Sequence, residues 1–188
     1  MWLYLHEEIR IHDPRPLRVV HFAPESIFRN LLRRLPHIDY TASDLEPTRR
    51  WYVRADIQDL PFDAGSFDLV LCMHVLEHVP DDHRALRELH RVLRPGGRAI
   101  LDHPQDLSLP KTLEDPGVLT PQDRERVYGH FDHRRLYGRD LGDRIRAAGF
   151  DVTEVDYASL HPTAARYGLA SYEYVYDCVK PCSHGEDR

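Results

Sequence analysis

At 188 residues, with 41 % hydrophobic and 30 % charged side chains, the chain is about one domain long and too apolar for global disorder. Its formal net charge of −6 argues against nucleic acid as the main partner, and no run approaches the roughly 18 apolar residues of a membrane span. The odd count of 3 cysteines argues against a disulfide framework, and Met1 to Arg10 lacks the order of a signal peptide, so the reading is a cytoplasmic protein.

Leu17 to Phe22, LRVVHF, is a short apolar run with adjacent β-branched valines, stopped by Pro24, and reads as a first strand. Glu25 to Leu35 repeats apolar residues at helical spacing (Ile27, Phe28, Leu31, Leu32, Leu35) and ends before Pro36. His37 to Ser43 gives a second strand running into Asp44, and Trp51 to Ala55 a marginal third delivering Asp56. Phe67 to Met73, FDLVLCM, is the strongest buried-strand signal and is expected at the sheet's centre. Pro80 to Leu93 reads as a helix stopped by Pro95-Gly96-Gly97, followed by a strand from Arg98 to Asp102.

Strands and helices alternating with short connections define a doubly wound, mostly parallel α/β sheet of Rossmann-like type in a single domain over residues 1–188. Its core is expected at about residues 17–157. A polar, proline-punctuated stretch at about 104–138 reads as an active-site insertion or lid before the last helix, Gly138 to Ala148. Closing strands are expected at Phe150 to Tyr157 and Ser171 to Val179.

In such a sheet small molecules bind beyond the carboxyl ends of the strands, so the first suspects are Ala23, Pro24, Glu25, Asp44, Asp56, His74 and His103. Asp44 lies where a nucleotide-binding fold places an acid for the ribose hydroxyls; capping a turn is its other reading. Asp56 offers an acceptor for an exocyclic adenine amine, with Ile57 packing on the ring, or it too caps a turn.

Residues Ala55 to Leu101 carry D-x-x-x-L-P-F, S-F-D at a strand start, L-E-H after the fourth strand and R-V-L-x-P-G-G, in that order. Each motif alone is weak, but four in register are specific, and this run resembles the class I S-adenosylmethionine-dependent methyltransferases, particularly the small type 11 group. With the flanking strands the resemblance covers about Leu17 to Tyr157. It implies S-adenosyl-L-methionine as cofactor, with Asp44 at the ribose, Asp56 and Ile57 at the adenine, Met73 and His74 at the methionine end, and Phe22, Ala23, Pro24, Glu25 and Leu45 as further cofactor contacts. The first turn departs from the family. Where relatives carry G-x-G, this chain has His21-Phe22-Ala23-Pro24-Glu25. Either the small Ala23 and the helix start at Pro24 still admit the cofactor, as in similar H-x-A-P-E methyltransferases of saccharide pathways, or the domain is a cofactor-free interaction module.

Methyl transfer to a hydroxyl needs alignment and a proton acceptor, for which His133, His74 and His103 are the candidates. The similar group carries a D-H-x-R-x-Y-G segment, matched here by Asp132 to Gly138, which ranks His133 first and puts Arg134 and Tyr137 beside a polar acceptor. A surface histidine remains the plainer reading. Thr112, Glu114 and Asp115 are further groups that could meet a sugar hydroxyl. His74 to His78 also spells H-x-x-E-H; a metalloprotease helix does not fit between a buried strand and Pro80, and a divalent ion bound in some other way is left as an alternative. Cys178, Cys182 and His184 offer three soft ligands, or simply two thiols beside a polar tail. No metal is assigned. The expected function is O-methylation of a hydroxylated small molecule such as a saccharide, without nucleic-acid or membrane partners and with a homodimer left open.

Overall fold

The computed structural model describes residues 1–156, 159 and 174–182. The expected strand residues 157 and 171–173 and the tail residue His184 lie outside the described residues. Seven strands form one sheet: β1 (Leu17–Phe22), β2 (Ile38–Asp44), β3 (Val53–Arg54), β4 (Phe67–Met73), β5 (Leu93–Asp102), β6 (Asp151–Val155) and β7 (Val175–Val179). Their order is β3-β2-β1-β4-β5-β7-β6, parallel except for β7, which runs antiparallel to both neighbours. The central strand is β4, as its apolar run requires. The order reverses between β1 and β4, which opens the crevice where such sheets bind ligands.

Alternation along the strands splits the core into two layers. Val20, Val70 and Cys72 face α3 (Asp82–Val92) and α5 (Leu141–Ala147), while Val19, Leu69, Leu71 and Met73 face the other side. That second layer is closed by Leu32 of α2 (Ser26–Leu32) and by Leu5 of α1 (Trp2–Glu7). The short α1 was not foreseen, yet Leu5, Ile9 and Ile11 are buried and the Tyr4 hydroxyl donates to Asp177 Oδ2 at 2.7 Å. Residues ahead of β1 therefore belong to the core.

Pro95-Gly96-Gly97 does not end a helix. Asp81 caps α3 by accepting from the Arg84 amide, α3 finishes at Val92, and Leu93 enters β5 directly. The register jumps from Phe67↔Leu93 to Leu69↔Arg98, so the Pro-Gly-Gly segment is a bulge inside the strand, with Gly96 at φ +72°. The stretch between β5 and α5 is more ordered than its composition suggests. It contains α4 (Pro121–Tyr128), opened by the Thr120 hydroxyl accepting from the Asp123 amide at 3.1 Å and closed by Gly129 at φ +83°. Isolated bridges join Gln105 to Tyr137 and Leu113 to Leu136.

Candidate active site

The first turn is held by the ends of its own motif. The buried His21 ring shares one hydrogen bond with the Tyr40 hydroxyl (Nδ1, 3.0 Å) and another with Glu25 Oε2 (Nε2, 3.2 Å). Glu25 is thereby folded back across Phe22-Ala23-Pro24. Burial pushes its carboxyl up, but the hydrogen bond from His21, a backbone hydrogen bond and the charges of His21 and His74 together hold it below the usual value. Ala23 sits at φ +43°, in the left-handed region that favours glycine, and its amide donates to Ser43 O at 2.8 Å. Across the crevice His74 is also left-handed, at φ +53°. Two strained non-glycine residues thus flank one opening, a common companion of functional sites.

Between them lies a cavity of about 490 Å³, bounded by Phe22 and Ala23 at the end of β1, Asp44 and Leu45 at the end of β2, and Ile57 and Val79. Its size suits a small-molecule ligand. Of the residues expected there, Phe22, Ala23, Asp44, Leu45, Asp56, Ile57, His74 and Arg134 do line it. Both acids also cap turns: Asp44 Oδ1 accepts from the Glu46 amide at 3.0 Å and Asp56 Oδ1 from the Gln58 amide at 2.8 Å. The two readings coexist, because a carboxylate has about four acceptor positions and a single cap leaves most of them unused.

Several expectations need correction. Met73 is 2 % exposed and packs into the opposite core layer, so it cannot touch a ligand in the cavity. Pro24 is buried and Glu25 engaged with His21, and neither lines the cavity. Tyr137 is fully buried and its hydroxyl donates to Asp82 Oδ2 at 3.0 Å, which makes it a structural residue rather than an acceptor contact. The His103 side chain is wholly enclosed, with Nδ1 donating to Glu77 Oε2 at 2.9 Å. It has no face from which to take an acceptor's proton.

Residues 74–79 form a turn, not the helix of a zinc protease. Glu77 is 1 % exposed. Burial pushes its carboxyl up, but His103, by charge and hydrogen bond, and His74 hold it far below the ordinary range. Its Oε1 has no hydrogen-bond partner and faces His74 Nδ1 at 3.7 Å and His78 Nε2 at 3.9 Å. The nearby Glu77 carboxylate raises the His74 pKa, against the opposing effect of burial. Burial lowers that of His133, with the charge of Glu77 opposing.

His133 Nδ1 lies 3.3 Å from Tyr128 O. A carbonyl only accepts, so Nδ1 carries the proton and Nε2 keeps its lone pair. The His133 ring stands 4.8 Å from that of His78, a residue of the cavity wall. Asp132 joins the group through His78 Nδ1, 3.1 Å away, and through His130.

A second cavity of about 280 Å³, bounded by Pro80, Glu114, Asp115, Arg124, Arg134 and Arg135 among others, shares Pro80 and Arg134 with the first. Sequence reasoning passed over Arg135, although it organises this wall. It is 3 % exposed and donates to Leu76 O and Val79 O at 2.7 Å, Pro80 O at 3.0 Å and Glu114 Oε2 at 3.0 Å. Nothing in an R-R pair indicates which arginine turns inward; the bridges at Tyr137 and Leu136 settle it.

The strand order and the cavity at its reversal are those of the Rossmann-like methyltransferase fold. Residues 22–101 match the family described as a methyltransferase domain. A Mycolicibacterium smegmatis protein named for S-adenosylmethionine-dependent methyl transfer is 29 % identical over 68 % of this chain and 48 % of its own length. A ubiquinone biosynthesis O-methyltransferase of Pseudomonas aeruginosa is 31 % identical over 57 % of this chain and 46 % of its own. The chain thus spans about half the length of these relatives. Among solved structures, the Burkholderia thailandensis 1,6-didemethyltoxoflavin N1-methyltransferase with bound S-adenosylhomocysteine aligns at TM-score 0.63 and 22 % identity, over 95 % of this chain and 76 % of its own. A Mesorhizobium loti S-adenosylmethionine-dependent methyltransferase aligns at 0.60 and 18 %, over 93 % and 97 %. No helix among the described residues is long and apolar enough to cross a membrane.

Proposed function

We propose that the chain binds S-adenosyl-L-methionine in the larger cavity and transfers its methyl group to a hydroxyl of a polar small molecule, such as a saccharide, in the cytoplasm. The observation that carries this reading is the open first turn. No side chain of the bend fills the cavity, because Glu25 is clipped to His21 and Ala23 contributes only a methyl group. The cofactor supplies an electrophilic methyl on a sulfonium. Asp44 receives the ribose hydroxyls through carboxylate positions its cap leaves over, and Asp56 with Ile57 holds the adenine. Backbone at the Ala23 bend and at His74 bounds the methionine end.

The acceptor occupies the second cavity, where Glu114 and Asp115 suit hydroxyl donors and Arg134 stands between the two chambers. His133, with a free Nε2 beside His78, is the first choice to take up the acceptor's proton; His74, which borders the cofactor cavity, is the second. The choice of oxygen is supported by this imidazole cluster, and relatives include an O-methyltransferase as well as C- and N-methyltransferases.

Calorimetry with S-adenosylmethionine and with S-adenosylhomocysteine tests the core of the reading. Micromolar binding is expected, weakened about 10- to 100-fold by Asp44→Ala, the loss of one or two charge-assisted hydrogen bonds. Absence of binding to the unaltered chain refutes it and leaves the interaction-module alternative.

A further inference from the structure

We propose that Glu77, His78 and His133 form a site for one divalent transition-metal cation at the edge of the cofactor cavity. The proposal rests on the methyl-transfer reading only for what the ion does there; the site itself stands on geometry. One ligand atom from each residue falls within 4.8 Å of the other two. A metal bonds such donors at about 2.0–2.2 Å, which sets them about 3.4 Å apart around a tetrahedral ion, so a pair at the 4.8 Å limit must close by roughly 1.4 Å. His78 and His133 are half-buried rings outside helices and strands, where side-chain rotation can supply that movement.

Glu77 supplies the second, independent observation. Its side chain is 1 % exposed, and Oε1 lacks any hydrogen-bond partner. A buried carboxylate oxygen left in that condition is costly unless a positive charge meets it. His78 Nε2 stands off from that oxygen at 3.9 Å, beyond hydrogen-bond reach and close to the spacing of two ligands on one ion. The rings around it crowd one another: His78, His130 and His133 lie with centroids 4.8 to 6.1 Å apart.

The outer shell is built to match. The Tyr128 carbonyl fixes the His133 tautomer with Nε2 as the donor, His103 holds Glu77 through Oε2 and turns Oε1 outward, and the Asp132 carboxylate lies 3.1 Å from His78 Nδ1 without a hydrogen bond. Two imidazoles and one carboxylate suit zinc or a similar ion and leave coordination positions open for other ligands. Because His78 belongs to the cavity wall and Arg134 to both cavities, an oxygen-bearing acceptor is the natural occupant of those positions. With the ion bound, His133 acts as ligand instead of free base, and a coordinated hydroxyl becomes more acidic through the metal.

The test uses the purified chain stripped by a chelator and titrated with Zn²⁺ and Mn²⁺ by calorimetry in the absence of cofactor, with Co²⁺ absorption as a spectroscopic check. One ion per chain is expected. Glu77→Gln and His133→Ala should each weaken binding by more than about 100-fold, beyond what outer-shell changes usually do, while His130→Ala stays within about threefold. Circular dichroism of His133→Ala, a half-buried position, guards against misfolding of the Glu77 variant. Absence of saturable binding overturns the proposal. So does loss of binding in His130→Ala with Glu77→Gln unaffected, which would move the ion to the exposed His130, Asp132 and His133 group. Cofactor affinity is measured on separate metal-free samples. Its absence sinks methyl transfer without touching the metal site, and its presence without metal binding sinks only the metal site.

Discussion

Arg135→Lys tests how the segment between β5 and α5 shapes the cofactor cavity. The guanidinium donates to three main-chain carbonyls, those of Leu76, Val79 and Pro80, and to Glu114, while 3 % exposed. Lysine keeps the charge and three donors, but they radiate from one atom and cannot copy a planar fork that reaches carbonyls on opposite sides. Two of the four bonds should be lost. A hydrogen bond to a charged group is worth about 1.5 kcal/mol at its lower bound, so the loss is about 3 kcal/mol. At a urea slope near 2 kcal/mol/M, the unfolding midpoint falls by about 1.5 M. Val79 and Pro80 belong to the cavity wall, so affinity for S-adenosylmethionine should fall with stability, by at least about threefold in calorimetry. A stability loss under about 1 kcal/mol with cofactor affinity unchanged would refute the reasoning, because the 76–80 turn would then be held by something else.

Three further outcomes follow from the same contacts. Ala23→Gly should leave the melting temperature unchanged or raised, since relief of a left-handed alanine, about 1 kcal/mol, offsets the extra freedom glycine gains in the unfolded chain; Ala23→Val should lower it sharply. His133→Ala should cut methyl transfer by about 10²- to 10⁴-fold while leaving cofactor affinity within about threefold, measured by single-turnover assay and calorimetry; unchanged turnover removes the residue from the mechanism. Stability should fall in acid through Asp82. Burial raises the pKa of this carboxyl, but the hydrogen bond from Arg144 and the charges of Arg135 and Arg144 outweigh it and bring it below the usual value. A depressed folded pKa gives stability that is complete above the unfolded value of about 3.9 and is lost as pH falls through the folded one. Urea midpoints measured from pH 6 downwards should show that decline, with a flatter acid limb in Asp82→Asn.

The strands at the sheet's centre were legible because burial on both faces writes itself as unbroken apolar runs, as in Phe67–Met73 and Leu17–Phe22. The misreadings occur where length or tertiary pairing decides. The six-residue α1 is too short to show a period, and α4 is mostly polar, so only its Thr120 cap and its Gly129 stop announced it. Pro95-Gly96-Gly97 satisfies a helix stop and a strand bulge equally well, and pairing with β4 chooses the bulge. The antiparallel insertion of β7 between β5 and β6 is a long-range choice that local pattern does not encode.

The same division holds in the site. Asp44, Asp56 and His74 could be located because they follow strands directly, and chain position alone puts them at the crevice. Met73, Tyr137 and His103 were misplaced for the opposite reason: one step of phase along a strand or bridge moves a side chain from the cavity to the core. The H-x-A-P-E turn shows what the structure adds. Read as letters, it is a glycine motif that has been lost. Folded, its first and last residues bond to each other, so the clip holds an alanine in the conformation that glycine adopts unaided and keeps the one long side chain of the bend out of the cavity. Histidine and glutamate are therefore not incidental to the turn. Breaking the clip with Glu25→Ala should disturb cofactor binding more than overall stability, because Glu25 lies half-exposed while the Ala23 bend it holds borders the cavity.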